Sequence, residues 1–201
     1  MERFDVHSLE SVLASLTSHR HRLAFGAAVS ERLFPNYQAF SDEVHWGAPN
    51  VLRNALDFIW QVVEGGTLTL SQIRELQAEC RLATPDSERF QSRLTSAALD
   101  AASAVHEVLE ACYRDEPQRI AEVGALARDT VDMFVQKRDG IDYNDSTFED
   151  RILADPLMRR ELAKQRSELA ILDRTGVLSP GFIREFRESA TYGGKGSIDL
   201  N

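Results

Sequence analysis

Five histidines, two cysteines and 32 carboxylates are the side chains of this sequence with the most chemistry to offer. What they can do depends on spacing. A carboxylate-bridged metal pair in a helical bundle needs Glu or Asp three residues before His on an inward face. The residues in that position are Phe4, Leu16, Ser18, Asp42 and Ser103, for His7, His19, His21, His45 and His106 respectively. Only Asp42–His45 fits, in an expected loop beside Gly47, and one half-match does not make a metal site. His19 and His21, two apart, point to roughly opposite sides of a helix and cannot clamp one ion. The segment "DGIDYNDSTFED", Asp139 to Asp150, places Asp142, Asn144 and Ser146 like the alternating ligands of a calcium loop. Thr147 stands where that loop needs Gly, however, and Leu153 where it needs a bidentate Glu. No metal and no cofactor is expected.

Nucleophilic and nucleotide chemistry leave no motif either. The chain has no GxSxG elbow, no Walker or GxGxxG glycine loop and no CxxC pair. Cys80 and Cys112 read as small hydrophobes at helix interfaces. His106-Glu107 reads as an edge pair on a long helix. Asp57 sits among Leu56, Phe58, Ile59 and Trp60, so it must face out or be paired inside; Arg32 and Arg53 are the candidate partners.

Two sets of residues remain as candidate sites. The acidic run contributes Asp139, Asp142, Asp145, Glu149 and Asp150 without an intervening base, either a solvated linker or a docking patch. The second set surrounds "SERLFPNYQAF", where a strongly apolar helix meets Pro35. Asn36 and Tyr37 are expected to anchor a sharp turn there, with Phe34, Phe40 and Trp60 packed beneath it. The alternative is a ligand pocket formed by Asn36, Tyr37, His45, Trp46 and Asp57.

The elements that must position these residues are helical throughout. Apolar residues recur at three- and four-residue steps, and alternating strand patterns are nearly absent. Val6, Leu9, Leu13 and Leu16 give a first helix opened by Asp5. A second, apolar nearly all round, spans about 20–34 and is expected to stop at Pro35, which lacks an N–H and crowds the preceding turn. Further helices are expected from Ala48 or Asn50, either side of Pro49, to Gly65-Gly66 and from about Thr69 to Ala83. Thr84-Pro85 reads as the cap of a long alanine-rich helix carrying Phe90, Leu94 and on to Cys112. Pro117 to Gly140 gives the next, and Ser146-x-x-Glu149 reads as a capping box for a short turn ending near Ala154. Asp155-Pro156 and Ser179-Pro180 open the last two. The expectation is an all-α, single-domain bundle of eight or nine helices over residues 1–190, followed by a flexible C-terminal tail, 191–201.

Residues 23–40 and 51–63, "LAFGAAVSERLFPNYQAF" and "VLRNALDFIWQVV", resemble an uncharacterised bacterial family catalogued as domain of unknown function 416. Glu31-Arg32, Pro35-Asn36-Tyr37, Phe40 and the block Leu56–Trp60 carry the likeness, and a looser one runs through the alanine-rich helix and "ARDTVDMF". The resemblance implies an all-α bundle and supplies no activity, cofactor or site residue.

The net charge of −9 is uneven: residues 1–150 hold 25 acids and 14 bases, residues 151–201 hold 7 and 9. So acidic a body repels nucleic-acid phosphates and favours a basic protein partner. No run approaches the ~18 apolar residues of a membrane span, and "MERFDVHSLE" lacks the basic end of a signal peptide. The expected protein is cytoplasmic, binding neither nucleic acid nor membrane. It reads as an acidic protein-binding module without catalytic activity, most concretely an immunity- or antitoxin-type inhibitor of a basic protein. An enzyme or small-ligand binder with its site near Tyr37, Trp46 and Asp57 is the alternative, and a homo-oligomer built on an exposed apolar patch is the third reading.

Overall fold

A computed structural model describes residues 6–142 and 144–200, so the expected opening of the first helix by Asp5 lies outside the described residues. Among these residues the chain forms nine α-helices and no strand: α1 (Val6–Ser15), α2 (His19–Val44), α3 (Pro49–Val63), α4 (Leu70–Ala83), α5 (Thr95–Tyr113), α6 (Pro117–Asp139), α7 (Phe148–Ala154), α8 (Pro156–Arg174) and α9 (Pro180–Glu188). The all-α single-domain reading holds. Helix α2 is the axis, packed chiefly against α5, α3 and α6, with α8 and α9 closing another side.

The largest departure from the sequence reading is at Pro35. Helix α2 does not turn there; it runs through the proline for another nine residues. Its apolar circumference explains this, because Leu33, Phe34, Tyr37 and Phe40 are all buried on both sides of the proline. Burial of several large side chains, each stabilising by about 1.5–3 kcal/mol, offsets the ~3 kcal/mol that an interior proline costs. The helix ends instead at His45, which takes the left-handed conformation (φ 51°) and donates its N–H to the Ser41 carbonyl. Gly26 lets α2 approach its neighbours: a Cβ there would lie 2.9 Å from both Ile120 Cδ1 and Val108 Cγ2.

Most other boundaries follow local chemistry. Thr69 and Gln72 form a reciprocal capping box on α4, and Asp155 and Ser179 cap α8 and α9 ahead of first-turn prolines. Gly140, at φ 60°, closes α6. Two caps are not as expected. Thr84 belongs to the end of α4, its hydroxyl donating to the Cys80 carbonyl at 2.9 Å. A loop then packs half-buried Phe90 and Leu94 against the core before α5 begins at Thr95. The Ser146/Glu149 box does not form; Thr147 precedes α7, with its N–H and hydroxyl both donating to Asp145 Oδ1 at 2.8 Å.

The main core runs from α1 through α5 and α6 to α9. A smaller one gathers Ala97, Val131, Val135, Ile141, Ile152, Met158 and Leu162 around Ile198. That last residue corrects the expectation of a flexible tail. Gly196, Ser197 and Ile198 are buried, and the Ser197 N–H donates to the Arg32 carbonyl at 2.9 Å, on the turn of α2 that Pro35 interrupts. Hydrogen bonding to that turn replaces the periodicity that the tail lacks.

Candidate functional site

Consecutive residues on α2, Glu31 and Arg32, seed two polar clusters inside the bundle. Arg32 is wholly buried and faces α8, where Glu161, Gln165 and Glu168 lie at four- and three-residue steps on one face. Its Nε donates to Glu161 at 3.0 and 3.1 Å, and Nη1 donates to Glu168 at 2.9 Å and to the Ala28 carbonyl at 3.1 Å. Gln165 donates to both Glu161 and the Gly124 carbonyl, and the Tyr192 hydroxyl donates to Glu161 at 3.0 Å.

One buried cation thus faces two buried carboxylates. Burial pulls the Arg32 pKa down, but the charges of Glu161 and Glu168 more than reverse this, and it stands above its ordinary value. For Glu161, burial is opposed by the charge and hydrogen bonds of Arg32 and by the amide of Gln165, and its carboxyl is held below the usual range. For Glu168, burial wins over Arg32 and Lys164, and the carboxyl is pushed up. Burial and the Glu161 charge also raise the Tyr192 phenol.

Glu31 faces the other way, toward α3 and α9. It accepts the Trp60 indole N–H at 2.8 Å, both Nη groups of Arg53 at 2.7 Å and Arg187 Nε at 3.1 Å. Arg187 also donates to Asp57, which Arg53 approaches at 3.1 Å. This ion group joins α2 and α3 to α9.

The five residues of the expected pocket do not converge. Asn36 is buried toward the closing segment, where its amide donates to Ser197 Oγ at 3.0 Å. Tyr37 is buried toward α3 and α4; its hydroxyl donates to the Ala83 carbonyl at 2.5 Å and accepts the Ala48 N–H at 3.1 Å. His45 is exposed at the helix end. Half-buried Trp46 packs with Phe40 and Phe90 and carries Arg89 over its ring. Asp57, with its side chain 45 % exposed, is held by Arg53 and Arg187. Of its two candidate partners, Arg53 is one and Arg32 is not. Cys80 is buried and Cys112 half-buried among apolar neighbours, which pushes each thiol up to about 12.

All five acids of the run are exposed: Asp139 ends α6, Asp142 and Asp145 lie between α6 and α7, and Glu149 and Asp150 stand in the first turn of α7. Part of its charge is answered locally: Arg138 binds Asp139 at 2.7 Å and Asp155 at 2.6 Å, and Arg151 lies 3.6 Å from Asp145. Arg138 and Arg151 hold the carboxyls of Asp139 and Asp145 below their ordinary values, with the Thr147 N–H the larger influence on Asp145. Asp142 accepts the backbone and side-chain amides of Asn144 at 2.9 Å, and Asp145 holds Thr147, so both ends of the loop have defined shape.

An open groove of about 430 Å³ lies between α4 and α5, lined by Gln77, Arg81, Thr84, Ser103, His106 and Glu107 with Glu110 at its end. Gln77 donates to Glu110 at 2.7 Å and Arg119 to Glu107 at 2.8 Å. His106 and Glu107 stand 3.9 Å apart, too far for a hydrogen bond. They are an edge pair in geometry, as their spacing indicates. Sequence reasoning missed the groove and the Arg32 cluster. The groove has no motif, whereas the cluster had a signal: Glu161, Gln165 and Glu168 fall on the stripe that also buries Met158, Leu162, Leu169 and Leu172.

Residues 9–201 match the model of a family described as protein of unknown function (DUF416). A DUF416 family protein from Shewanella baltica OS155 has the same fold over the full length of both chains, with a TM-score of 0.87 and 23 % identity. Two proteins called uncharacterized protein YjaG are also similar. That of Escherichia coli K12 is 26 % identical over 66 % of this chain and 67 % of its own, and that of Salmonella typhimurium is 23 % identical over 94 % of each. With nearly the whole chain matched, from the first buried leucine of α1 through the docked closing segment, this protein belongs to the DUF416 family.

Proposed function

We propose that the protein is an acidic cytoplasmic protein-binding module without catalytic activity, acting by occlusion as an immunity-type inhibitor of a basic protein. The observation that supports it is the set of exposed carboxylates from Asp139 at the end of α6, through Asp142 and Asp145 between the helices, to Glu149 and Asp150 in the first turn of α7. Asp142 and Asp145 each fix a local turn by a hydrogen bond. The five acids of the set follow a body, residues 1–138, that holds 20 acids and 14 bases, a net charge of −6. Such a surface speeds encounter with a basic partner and is screened beyond a Debye length of about 8 Å at physiological salt. A preshaped loop also loses less conformational freedom on binding than a flexible one.

The test is affinity capture with the wild-type chain and with a charge-neutralised loop variant, Asp142→Asn, Glu149→Gln and Asp150→Asn, at about 50 and about 300 mM salt. A stoichiometric basic protein, held by the wild type and released by salt and by the variant, supports the reading. Equal retention by the variant, or retention insensitive to salt, refutes it.

The α4–α5 groove favours a second reading, in which a small polar ligand binds between these helices. Thermal-shift screening with the wild type and with Arg81→Ala tests it. A ligand that stabilises the wild type and leaves the variant unmoved supports this reading over the first.

A further inference from the structure

We propose that residues 190–200 form a releasable strap, docked as an intramolecular ligand on the Arg32–Asn36 turn of α2, so that this turn is a peptide-docking site filled by the chain itself. Two groups of contacts define it. The α2 side offers the Arg32 carbonyl, which accepts the Ser197 N–H at 2.9 Å, and the Asn36 amide, which donates to Ser197 Oγ at 3.0 Å. Asn36 Oδ1 beside it is buried without a hydrogen-bond partner. Arg160 adds a clamp, donating to the Ser197 carbonyl at 3.1 Å and to Asp199 at 2.6 Å while lying 3.9 Å over the Tyr192 ring.

The sequence of the strap meets these demands residue by residue. Position 196 must be glycine, because a Cβ would lie 2.6 Å from Asn36 Oδ1, 3.1 Å from the Arg32 carbonyl and 3.2 Å from Pro35 Cβ. Position 197 supplies a hydroxyl for Asn36. Position 198 puts an aliphatic side chain among Val131, Val135, Ile141 and Met158. The α2 turn and the small core beside it therefore recognise a Gly–hydroxyl–aliphatic segment. Release is built in, because Gly193, Gly194 and Lys195 are exposed and Ile198 is the one large aliphatic side chain that the strap buries fully. Segments with few buried apolar contacts open below the global unfolding free energy.

The experiment is hydrogen exchange on the full chain. In the wild type, the Ser197 amide is expected to exchange at least about tenfold faster than the amides of α2 and α5, and to open at lower denaturant. Exchange of Ser197 together with those helices overturns the proposal. In Gly196→Val the added side chain should expel the strap, raising Ser197 exchange at least about tenfold further while α5 and α6 stay protected. A synthetic peptide of wild-type residues 189–201 should then bind that variant saturably, and the same peptide carrying the valine should not. Collapse of the whole bundle in Gly196→Val, or no difference between the two peptides, also overturns it.

Discussion

Replacing Arg32 with methionine leaves Glu161 and Glu168 facing each other in the interior without their shared cation. The side chains involved are 0 %, 0 % and 2 % exposed, so solvent can do little to screen the loss. Removing one partner of such a group costs about 3–5 kcal/mol, a large part of the 5–15 kcal/mol typical of a folded domain. The pH dependence separates this cause from lost packing. With the cation gone, both carboxyl pKa values stand above the ~4.3 of an unfolded glutamate. A raised folded pKa contributes stability that is present below the unfolded value and lost as pH rises through the folded one. Each group therefore destabilises Arg32→Met by about 1.4 kcal/mol per pH unit above ~4.3, until its own folded pKa is passed. Urea unfolding followed by circular dichroism at about pH 5 and pH 7.5 should show the deficit widening with pH. Glu168→Gln is the control: its carboxyl is already pushed up by burial in the wild type, so removing its charge should be neutral or stabilising by about 1 kcal/mol at neutral pH. A loss in Arg32→Met below about 1 kcal/mol, or one equal at both pH values, would refute the reasoning.

Three further outcomes are expected. Tyr37→Phe removes the hydroxyl that joins the Ala83 carbonyl to the Ala48 N–H, and should cost about 1–3 kcal/mol in the same urea assay. Gly26→Val places atoms against Ile120 and Val108, both stiff at χ1, where a Cβ alone would stand 2.9 Å away, and should cost about 1–3 kcal/mol by overpacking. Asp100 is raised to about 6 by burial, against the Thr130 hydroxyl that it accepts at 2.8 Å. Its contribution is present below its unfolded pKa of ~3.9 and lost as pH rises through about 6. Asp100→Asn should thus stabilise at pH 8 by about 1 kcal/mol, discounted for partial exposure, and by clearly less at pH 5.

Most of the fold was legible because its signals are local. Apolar steps of three and four, the openings at Asp155 and Ser179, and the stop at Gly140 all act within one helix and its ends. Pro35 misled because a helix-breaking residue was weighed without the tertiary burial on either side of it. The closing segment misled for a related reason: it has no periodicity because its partners are the Arg32 carbonyl and Asn36, some 160 positions earlier in the chain. The charge clusters were half visible. Arg53 as the partner of Asp57 follows from a four-residue step on one helix, whereas Arg187 and the Glu161–Glu168 pair reach Glu31 and Arg32 only through the packing of α9 and α8 on α2. The expected pocket failed on direction, since Asn36 and Tyr37 are adjacent in sequence and bind opposite neighbours.

The most direct test of the proposed role is to map where a captured partner lands. Amide hydrogen exchange of the free chain and of the complex reports this without assuming a contact residue. A partner recognised by the acidic loop should protect the amides of residues 139–142 and 144–154 and leave the α4–α5 groove unchanged. Protection confined to the groove, around Gln77–Thr84 and Ser103–Glu110, would contradict it.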